Sequence, residues 1–454
     1  MQQPPIVLDH STGVPLAVQV AAALRSSPTV RTGDRLPSTR ELATALGVSR
    51  TVTAAAYDQL LAEGWLEGRR GVGSFVVGAA GAVPIARSSP ADLPSAPTID
   101  LRPGAPCLEV LDRAVWRRAW RAAGDEPPDG TWSAAGAPAF RAAVVEHFLR
   151  ARGLAADPAD VLGTTGTSAG AAEVARLLPP GSRIGVEDPG YRRSVEALRG
   201  TGARLVPLRV DGDGLVVDEI PAGLAAVCCT PAHQFPLGGR LPAARRAALV
   251  ERARAKGLLV LEDDYDGELR YDVAPLPLLA SLGPDVVVLL GTTSKVLTPT
   301  LGVGWLVAPP AVRDRLLAVR TATGTRPSRA GQRVVAAMAA HGDLSRHLRR
   351  LTRELSVRRE LVRDTVIAAG HRTVGDAAGA HLVVPLVDRT DEAALRATAL
   401  EQDVVVDGLA RHTLRPESPD APAGLVVGWA GPDRAALTRG LAVLGEALRA
   451  VPPA

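Results

Sequence analysis

Lysine is nearly absent from this 454-residue chain: of its 52 basic residues only Lys256 and Lys295 are lysines. Arginine supplies the same charge at a surface position. Only a primary amine condenses with an aldehyde, because the guanidinium stays protonated and delocalised. Lys256 ends the polar stretch Arg252-Ala-Arg-Ala-Lys256-Gly257, which reads as a helix C-terminus where a cation suits the helix dipole. Lys295 mostly lacks such a reason, and an ordinary loop lysine is the alternative to a Schiff-base role. It stands in Gly291-Thr-Thr-Ser-Lys295, directly after the apolar run Val286-Val-Val-Leu-Leu290. A buried strand thus delivers one amine at the tip of a small-residue loop.

Other segments have types that suit the same chemistry. Glu262-Asp-Asp-Tyr-Asp266 follows an apolar run and offers carboxylates. A carboxylate that keeps a pyridine nitrogen protonated, beside an amine that holds an aldehyde, meets the needs of pyridoxal phosphate (PLP). A divalent metal on the acidic run is the alternative, but no phosphate loop of Walker type accompanies it. Gly163-Thr-Thr-Gly-Thr-Ser-Ala-Gly170 opens a helix whose amides and dipole would receive a phosphate, with Gly166, Thr167 and Ser168 at the turn. Glu187-Asp-Pro-Gly-Tyr191 places one of only four tyrosines after a strand, where its ring can stack on a pyridine. Thr230-Pro-Ala-His-Gln-Phe-Pro236 brings His233 to another strand end, and Ser294 adjoins the lysine.

These segments need a scaffold. Apolar runs at 161–164, 183–187, 203–208, 225–229, 257–262, 285–291 and 303–308 read as strands, with helical patterns at 169–178, 192–199 and 241–256. The alternation predicts a mainly parallel sheet buried on both faces, with ligands outside the carboxyl ends of its strands.

Residues 1–77 read separately. Helix-like spacing covers 16–24, Ser38-Thr-Arg-Glu41 is a capping box, Gly47 stops a helix over 40–46, and Ser49 caps a second helix to about Glu63. Two helices joined at Gly47-Val48, followed by two short strands around a basic Gly-rich turn, form a winged helix-turn-helix. Ser49, Arg50 and Thr51 open the recognition helix, and the Arg50 fork matches a guanine edge. Ser38, Arg40, Arg69, Arg70 and Gly73 are the further DNA-facing candidates, the arginines as phosphate contacts. A stretch rich in Pro, Ala, Ser and Gly at 78–98 is a linker.

Composition excludes several classes. No run of about eighteen apolar residues crosses a membrane, and the Met-Gln-Gln-Pro-Pro start lacks a signal pattern. Cys107, Cys228 and Cys229 have neither disulfide-framework nor metal-ligand spacing, so the expected location is a reducing cytoplasm and no metal is expected. A net charge of +4 over this length argues little by itself.

RLPSTRELATALGVSRTVTAAAYDQLLAEGWLEGRRGVGSFVV resembles the winged helix of GntR-type bacterial regulators, with Ala55 standing where related sequences often carry Arg. EDPGY, TPAHQFP, EDDYDGELRY, GTTSK, RPGAP at Arg102 and the RHLRRL…RR pattern resemble MocR-type regulators, in which that winged helix is fused to a fold-type-I aminotransferase-like domain. The resemblance implies a PLP-binding domain over 99–454, with its large part at about 130–320 and a smaller α+β part at 99–129 and 321–454. It further implies that Lys295 holds the PLP aldehyde, Asp263 pairs with the pyridine nitrogen, Tyr265 bonds the phenolic oxygen and Tyr191 stacks. The implied assembly is a head-to-tail, domain-swapped homodimer.

Four positions depart from that pattern. Gly302 stands seven residues after the lysine, where the family carries a phosphate-binding Arg, and Ser168 stands where a Gln is usual. Gly428-Trp-Ala-Gly431 replaces the pattern GFAR, whose Arg grips a substrate carboxylate, and Trp132 replaces a Tyr. The expected function is therefore an operator-binding regulator whose aminotransferase-like domain senses a small molecule, with PLP as cofactor or as the sensed ligand, and without turnover. A working aminotransferase carrying a winged helix and a PLP-free sensor are the alternatives. Gly431 opposes the first, since transamination needs a fixed substrate pose, and the retained Lys295, Asp263, Tyr265 and Tyr191 oppose the second.

Overall fold

The computed structural model describes residues 6–69, 72–78, 99–127, 133–272, 274–419 and 421–454. The chain forms two compact units, Met1–Ser95 and Ala96–Ala454.

In the first unit, α1 (Leu16–Ser26) buries Val20, Ala21 and Leu24 on one stripe. The capping box starts α2 (Thr39–Leu46): Ser38 Oγ accepts from Glu41 N at 3.2 Å and the Glu41 carboxylate accepts from Ser38 N at 2.7 Å. Gly47 ends α2 in the left-handed region at φ 63°. Helix α3 (Arg50–Ala62) follows, locked to α2 by Thr53 Oγ1 donating to Thr39 O at 2.7 Å and to the segment before α2 by Tyr57 OH donating to Pro37 O at 2.7 Å. Ser49 occupies the cap position of α3, but its side chain makes no capping bond, which corrects the expectation that it caps. The wing is an antiparallel pair, β1 (Leu66–Arg69) and β2 (Gly73–Val76), with Arg69 opposite Gly73. The linker expected at 78–98 lies outside the described residues except for Gly78.

The second unit runs β3 (Ile99–Asp100), α4 (Arg113–Asp125), α5 (Pro138–Val144), β4 (Val161–Thr164), α6 (Thr167–Ala175), β5 (Arg183–Asp188), α7 (Arg192–Arg199), β6 (Arg204–Asp211), β7 (Gly214–Leu215), β8 (Ala226–Cys229), α8 (Ala243–Lys256), β9 (Leu259–Asp264), β10 (Val287–Thr292) and β11 (Gly304–Val307). It continues with α9 (Pro310–Thr323), α10 (Arg329–Ala340), α11 (Asp343–Ala368), β12 (His381–Pro385), α12 (Arg389–Glu401), β13 (Val404–Val405), β14 (Asp407–Gly408), β15 (Gly424–Gly428) and α13 (Arg434–Arg449). The main sheet has the order β4-β11-β10-β9-β8-β5-β6-β7. Strands β10, β9, β8, β5 and β6 are parallel, β11 runs against both β10 and β4, and β7 turns back on β6 at the edge.

Burial on both faces holds for β8 and β10, whose residues are all buried, but not for β6, where only Leu208 is fully buried. On its outer side β6 is flanked only by the two-residue β7, which leaves most of its length with less to cover it. A three-stranded sheet, β12-β15-β14, and a parallel pair, β13 with β3, complete the C-terminal part. No helix among the described residues is long and apolar enough to cross a membrane.

Candidate cofactor site and DNA-binding surface

Five chemically distinct segments leave the carboxyl ends of β4, β5, β8, β9 and β10 on one side of the sheet, where open parallel sheets place their ligands. Half-buried Lys295 lies just past β10, and its Nζ donates to Gly104 O at 2.7 Å. The same Nζ stands 5.9 Å from the centroid of the Tyr191 ring, beyond β5. Burial holds the amine's pKa below its ordinary value. Arg193 adds to that effect, while the charges of Asp266 and Asp263 oppose it.

The run Glu262–Asp266 divides its labour by strand alternation. Glu262 points away from the site and accepts from the amides of Leu279 (2.7 Å) and Ala280 (2.8 Å), and burial lifts its pKa to about 7. Asp264 pairs with the buried guanidinium of Arg152. Asp263 is the carboxylate left for a ligand. Its Oδ2 accepts from Ser194 Oγ at 3.2 Å, whereas its buried Oδ1 has no partner among the described residues. Burial raises its pKa to about 7 against the pull of Thr167, Ser194 and the Lys295 charge. A buried carboxylate oxygen without a donor is costly unless a charged N–H meets it. This orphan fits the protonated pyridine of PLP.

Tyr265 OH lies 3.0 Å from His233 Nδ1 and donates to His233 O at 3.1 Å. Asp266 Oδ2 lies 2.9 Å from the same Nδ1, and a carboxylate only accepts, so in the neutral ring the proton sits on Nδ1. His233 Nε2, buried and unpartnered, then presents a lone pair. The Tyr191 ring meets Phe235 edge-on, with centroids 5.4 Å apart.

Gly166 caps α6 at φ 141°, a backbone that residues with a Cβ rarely adopt, and exposes the first amides of the helix. Thr167 is buried at its first position, while Ser168 Oγ lies 3.0 Å from Ser194 Oγ. Ser168, Ser194 and Asp263 thus form one hydrogen-bonded row. Ser294 Oγ accepts from Thr292 Oγ1 at 2.9 Å. These residues fit PLP: an amine, a free carboxylate oxygen, a ring and a helix N-terminus. Gly302 sits in the left-handed region at φ 59°, and a Cβ there would meet nothing within 4 Å. A Cβ on Gly431 would approach Ala105 Cβ to 3.0 Å, so the RPGAP segment takes part of the space an arginine there would need. Trp132 lies outside the described residues.

Sequence reasoning missed Gly104, Ser194 and the pairing of Asp266 with His233. RPGAP was legible as a motif, but nothing in it indicated a carbonyl for Lys295. Ser194 follows Tyr191 by three residues, about one helical turn, and that spacing is the signal that could have found it.

On the DNA-binding unit Ser38, Arg40, Ser49, Arg50 and Thr51 are all exposed. Ser38 is engaged in its capping box, whereas Ser49 leaves its hydroxyl free of a cap. Arg69 carries its guanidinium 4.6 Å from the Phe75 ring centroid and lies 3.6 Å from Glu67. Gly73 packs against Arg35, whose Nε would lie 2.9 Å from a Cβ there. Exposed Arg35 is thus a wing neighbour that the sequence did not single out. Ala55 is exposed on α3, one turn past Thr51. Arg70 lies outside the described residues.

Residues 98–421 match the family model for aminotransferase class I and II, and residues 16–76 match that for bacterial regulatory proteins of the gntR family. The chain is 39% identical over 340 residues to the HTH-type pyridoxine biosynthesis transcriptional regulator PdxR of Corynebacterium glutamicum, covering 74% of each. It is 31% identical over 481 residues to the probable rhizopine catabolism regulatory protein MocR of Rhizobium meliloti, covering 98% of this chain and 96% of that one. The chain is a MocR-type member of the GntR regulators. Like other MocR-type regulators it joins a DNA-binding winged helix to an aminotransferase-like domain. The fold of that domain is shared with a kynurenine aminotransferase of Pyrococcus horikoshii at TM-score 0.70 and 21% identity, covering 78% of this chain and 92% of that one.

Proposed function

We propose that this MocR-type regulator binds PLP reversibly as its sensed ligand, and that occupancy alters its grip on a double-stranded operator without steady turnover. The carrying observation is Gly302: the amine, the orphan carboxylate and the ring are retained, while the position expected to hold the phosphate by a guanidinium is an open left-handed glycine. Losing one charge-assisted hydrogen bond weakens binding by roughly 1.5–3 kcal/mol, about ten- to a hundredfold. PLP, when bound, supplies an electron-withdrawing ring with a reactive aldehyde. Lys295 would hold that aldehyde, Asp263 Oδ1 would take the ring N–H, Tyr191 would cover a face, and Gly166, Thr167, Ser168 and Ser294 would receive the phosphate. Tyr265 and His233 would border the ring's polar edge.

Gly431 provides no cation for an amino-acid carboxylate, which supports sensing over transamination. The likeness to PdxR points to vitamin B6 synthesis as the regulated process. The protein acts in the cytoplasm as a homodimer, one winged helix per half-site. A ligand shifts DNA binding only if its affinity differs between two arrangements of that dimer.

Equilibrium dialysis with PLP, run alongside operator binding at each PLP concentration, tests the reading. The expected result is measurable PLP release together with a PLP-dependent change in operator affinity. Nanomolar PLP retained through dialysis, or steady conversion of an amino acid to its keto acid, overturns it.

A further inference from the structure

Two helices of the aminotransferase-like unit carry arginines that its cofactor chemistry does not use. Helix α4 exposes Arg113, Arg117 and Arg121, and the first half of α11 exposes Arg349, Arg350 and Arg353. The helices are neighbours: Arg118 of α4 pairs with Asp343 at the start of α11, and Asp112 at the head of α4 feels the charge of Arg350. None of the six makes an ion pair or a side-chain hydrogen bond among the described residues.

The nearby acids are already spent. Asp343 is shared by Arg118 and Arg346, and Asp112 accepts from the amides of Ala114 and Val115. The second half of α11 is the internal comparison. There Arg358 pairs with Glu354 and Glu109, and Arg359 and Arg363 pair with Glu360. One helix therefore pairs the arginines of its second half and, in its first, pairs Arg346 but leaves Arg349, Arg350 and Arg353 bare. A solvated face of an ordinary helix would carry interleaved acids.

On α11 the spacing of Arg346, Arg349, Arg350 and Arg353 follows i, i+3, i+4 and i+7, a straight stripe spanning roughly 10 Å. Arg113, Arg117 and Arg121 form a second stripe at i, i+4 and i+8 beside it. Two adjacent rows of exposed guanidiniums suit an extended polyanion with regularly spaced phosphates better than a single small anion.

We propose that this face of the aminotransferase-like unit is a second, sequence-independent contact for duplex DNA. It rests on the winged helix holding DNA in the first place. The face would then engage phosphates outside the stretch read by the recognition helix, adding affinity and salt dependence but no base preference.

The test is the salt dependence of binding by the full chain to random-sequence duplexes of 16 and 60 base pairs. Each phosphate contact contributes about 0.9 to the slope of log affinity against log salt. The triple variant Arg349→Gln, Arg350→Gln, Arg353→Gln should lower the slope by about 2 to 3 on the long duplex and leave it unchanged on the short one. Arg113→Gln, Arg117→Gln, Arg121→Gln should act likewise, and serves as the independent arm if the first triple fails to fold. Equal slopes for variant and wild type on the long duplex overturn the proposal. So does a loss of dimer in sedimentation with no change of slope, which would make the face a contact between copies or with an acidic protein. Absence of DNA binding by the wild type on both duplexes would instead sink the winged-helix reading.

Discussion

Lys295 Nζ donates to the carbonyl oxygen of Gly104 at 2.7 Å, a bond that closes 191 positions of sequence. The amine is thereby held over the site by the Arg102–Pro106 segment, which Arg102 itself steadies by a two-pronged bond to Asp100 at 2.9 and 2.7 Å. A carbonyl neutralises no charge. With burial and Arg193 both disfavouring the ammonium, the nitrogen is kept closer to its reactive, uncharged form than a surface lysine's.

The first prediction separates amine from charge. Wild type mixed with PLP should show a visible absorption band that borohydride erases. Lys295→Ala should lose the band, and Lys295→Arg should lose it too, although the charge is kept. An arginine variant that binds PLP as wild type does would reduce Lys295 to an electrostatic contact.

Gly302 gives the second. Gly302→Arg places a guanidinium on an open Cβ position, so PLP affinity should rise about ten- to a hundredfold in an absorbance titration. The left-handed backbone at φ 59° is present with and without ligand, so its strain falls on folding instead, at about 1–2 kcal/mol of stability. Tighter binding with a lower melting temperature is the expected pair. Unchanged affinity would mean that the phosphate lies elsewhere.

How far the sequence discloses this site depends on which forces set each contact. Strand ends are local events: apolar runs stop where small and polar residues begin, so the loops at Gly166, Tyr191, His233, Tyr265 and Lys295 were legible, and α7 ran over the predicted 192–199. Ser49 shows the limit of local reading, since a cap-type residue took the cap position without making the bond. Gly104 shows another: its role is set by tertiary packing across nearly two hundred residues. The exposed flank of β6 depended on strand order, which no single run of residues encodes.

Asp263 yields a pH prediction. Its carboxyl is raised from an ordinary value near 3.8 to about 7 in the ligand-free fold, mainly by burial. Between these values the unfolded chain has released a proton that the folded one keeps, so this group's contribution to stability is full below about 4 and is lost as pH rises toward 7. Asp263→Asn should remove one proton's share of that decline, about 1.4 kcal/mol per pH unit in the middle of the window. Glu187 and Glu262, also raised to about 7, keep their shares, so the curve should flatten without becoming level. Denaturant melts at pH 4.5, 5.5 and 6.5 measure this, and parallel curves for both proteins would contradict the burial argument. Adding PLP should restore stability near pH 7 in wild type more than in the variant, because only the carboxylate answers a cationic ring nitrogen.

The last prediction divides the proposed DNA-contacting arginines by role. Arg50 is exposed at the first position of α3, where an N-terminal side chain reaches a base edge once the helix enters the major groove. Its fork can read a guanine, so Arg50→Ala should cost about 1–3 kcal/mol on the cognate operator and relax preference at one base pair. Arg69 belongs to the wing and leans on the Phe75 ring, a stack that orders a long side chain before DNA arrives. Arg69→Ala should therefore weaken all duplexes alike and lower the salt slope by about 1. Phe75→Leu, which keeps the charge and removes the stack, should weaken binding by a smaller factor with the slope unchanged. Anisotropy titrations on the operator and on a scrambled duplex at several salt concentrations separate these outcomes. Loss of sequence preference on removing Arg69, with none on removing Arg50, would reverse the two assignments and place the wing in a groove.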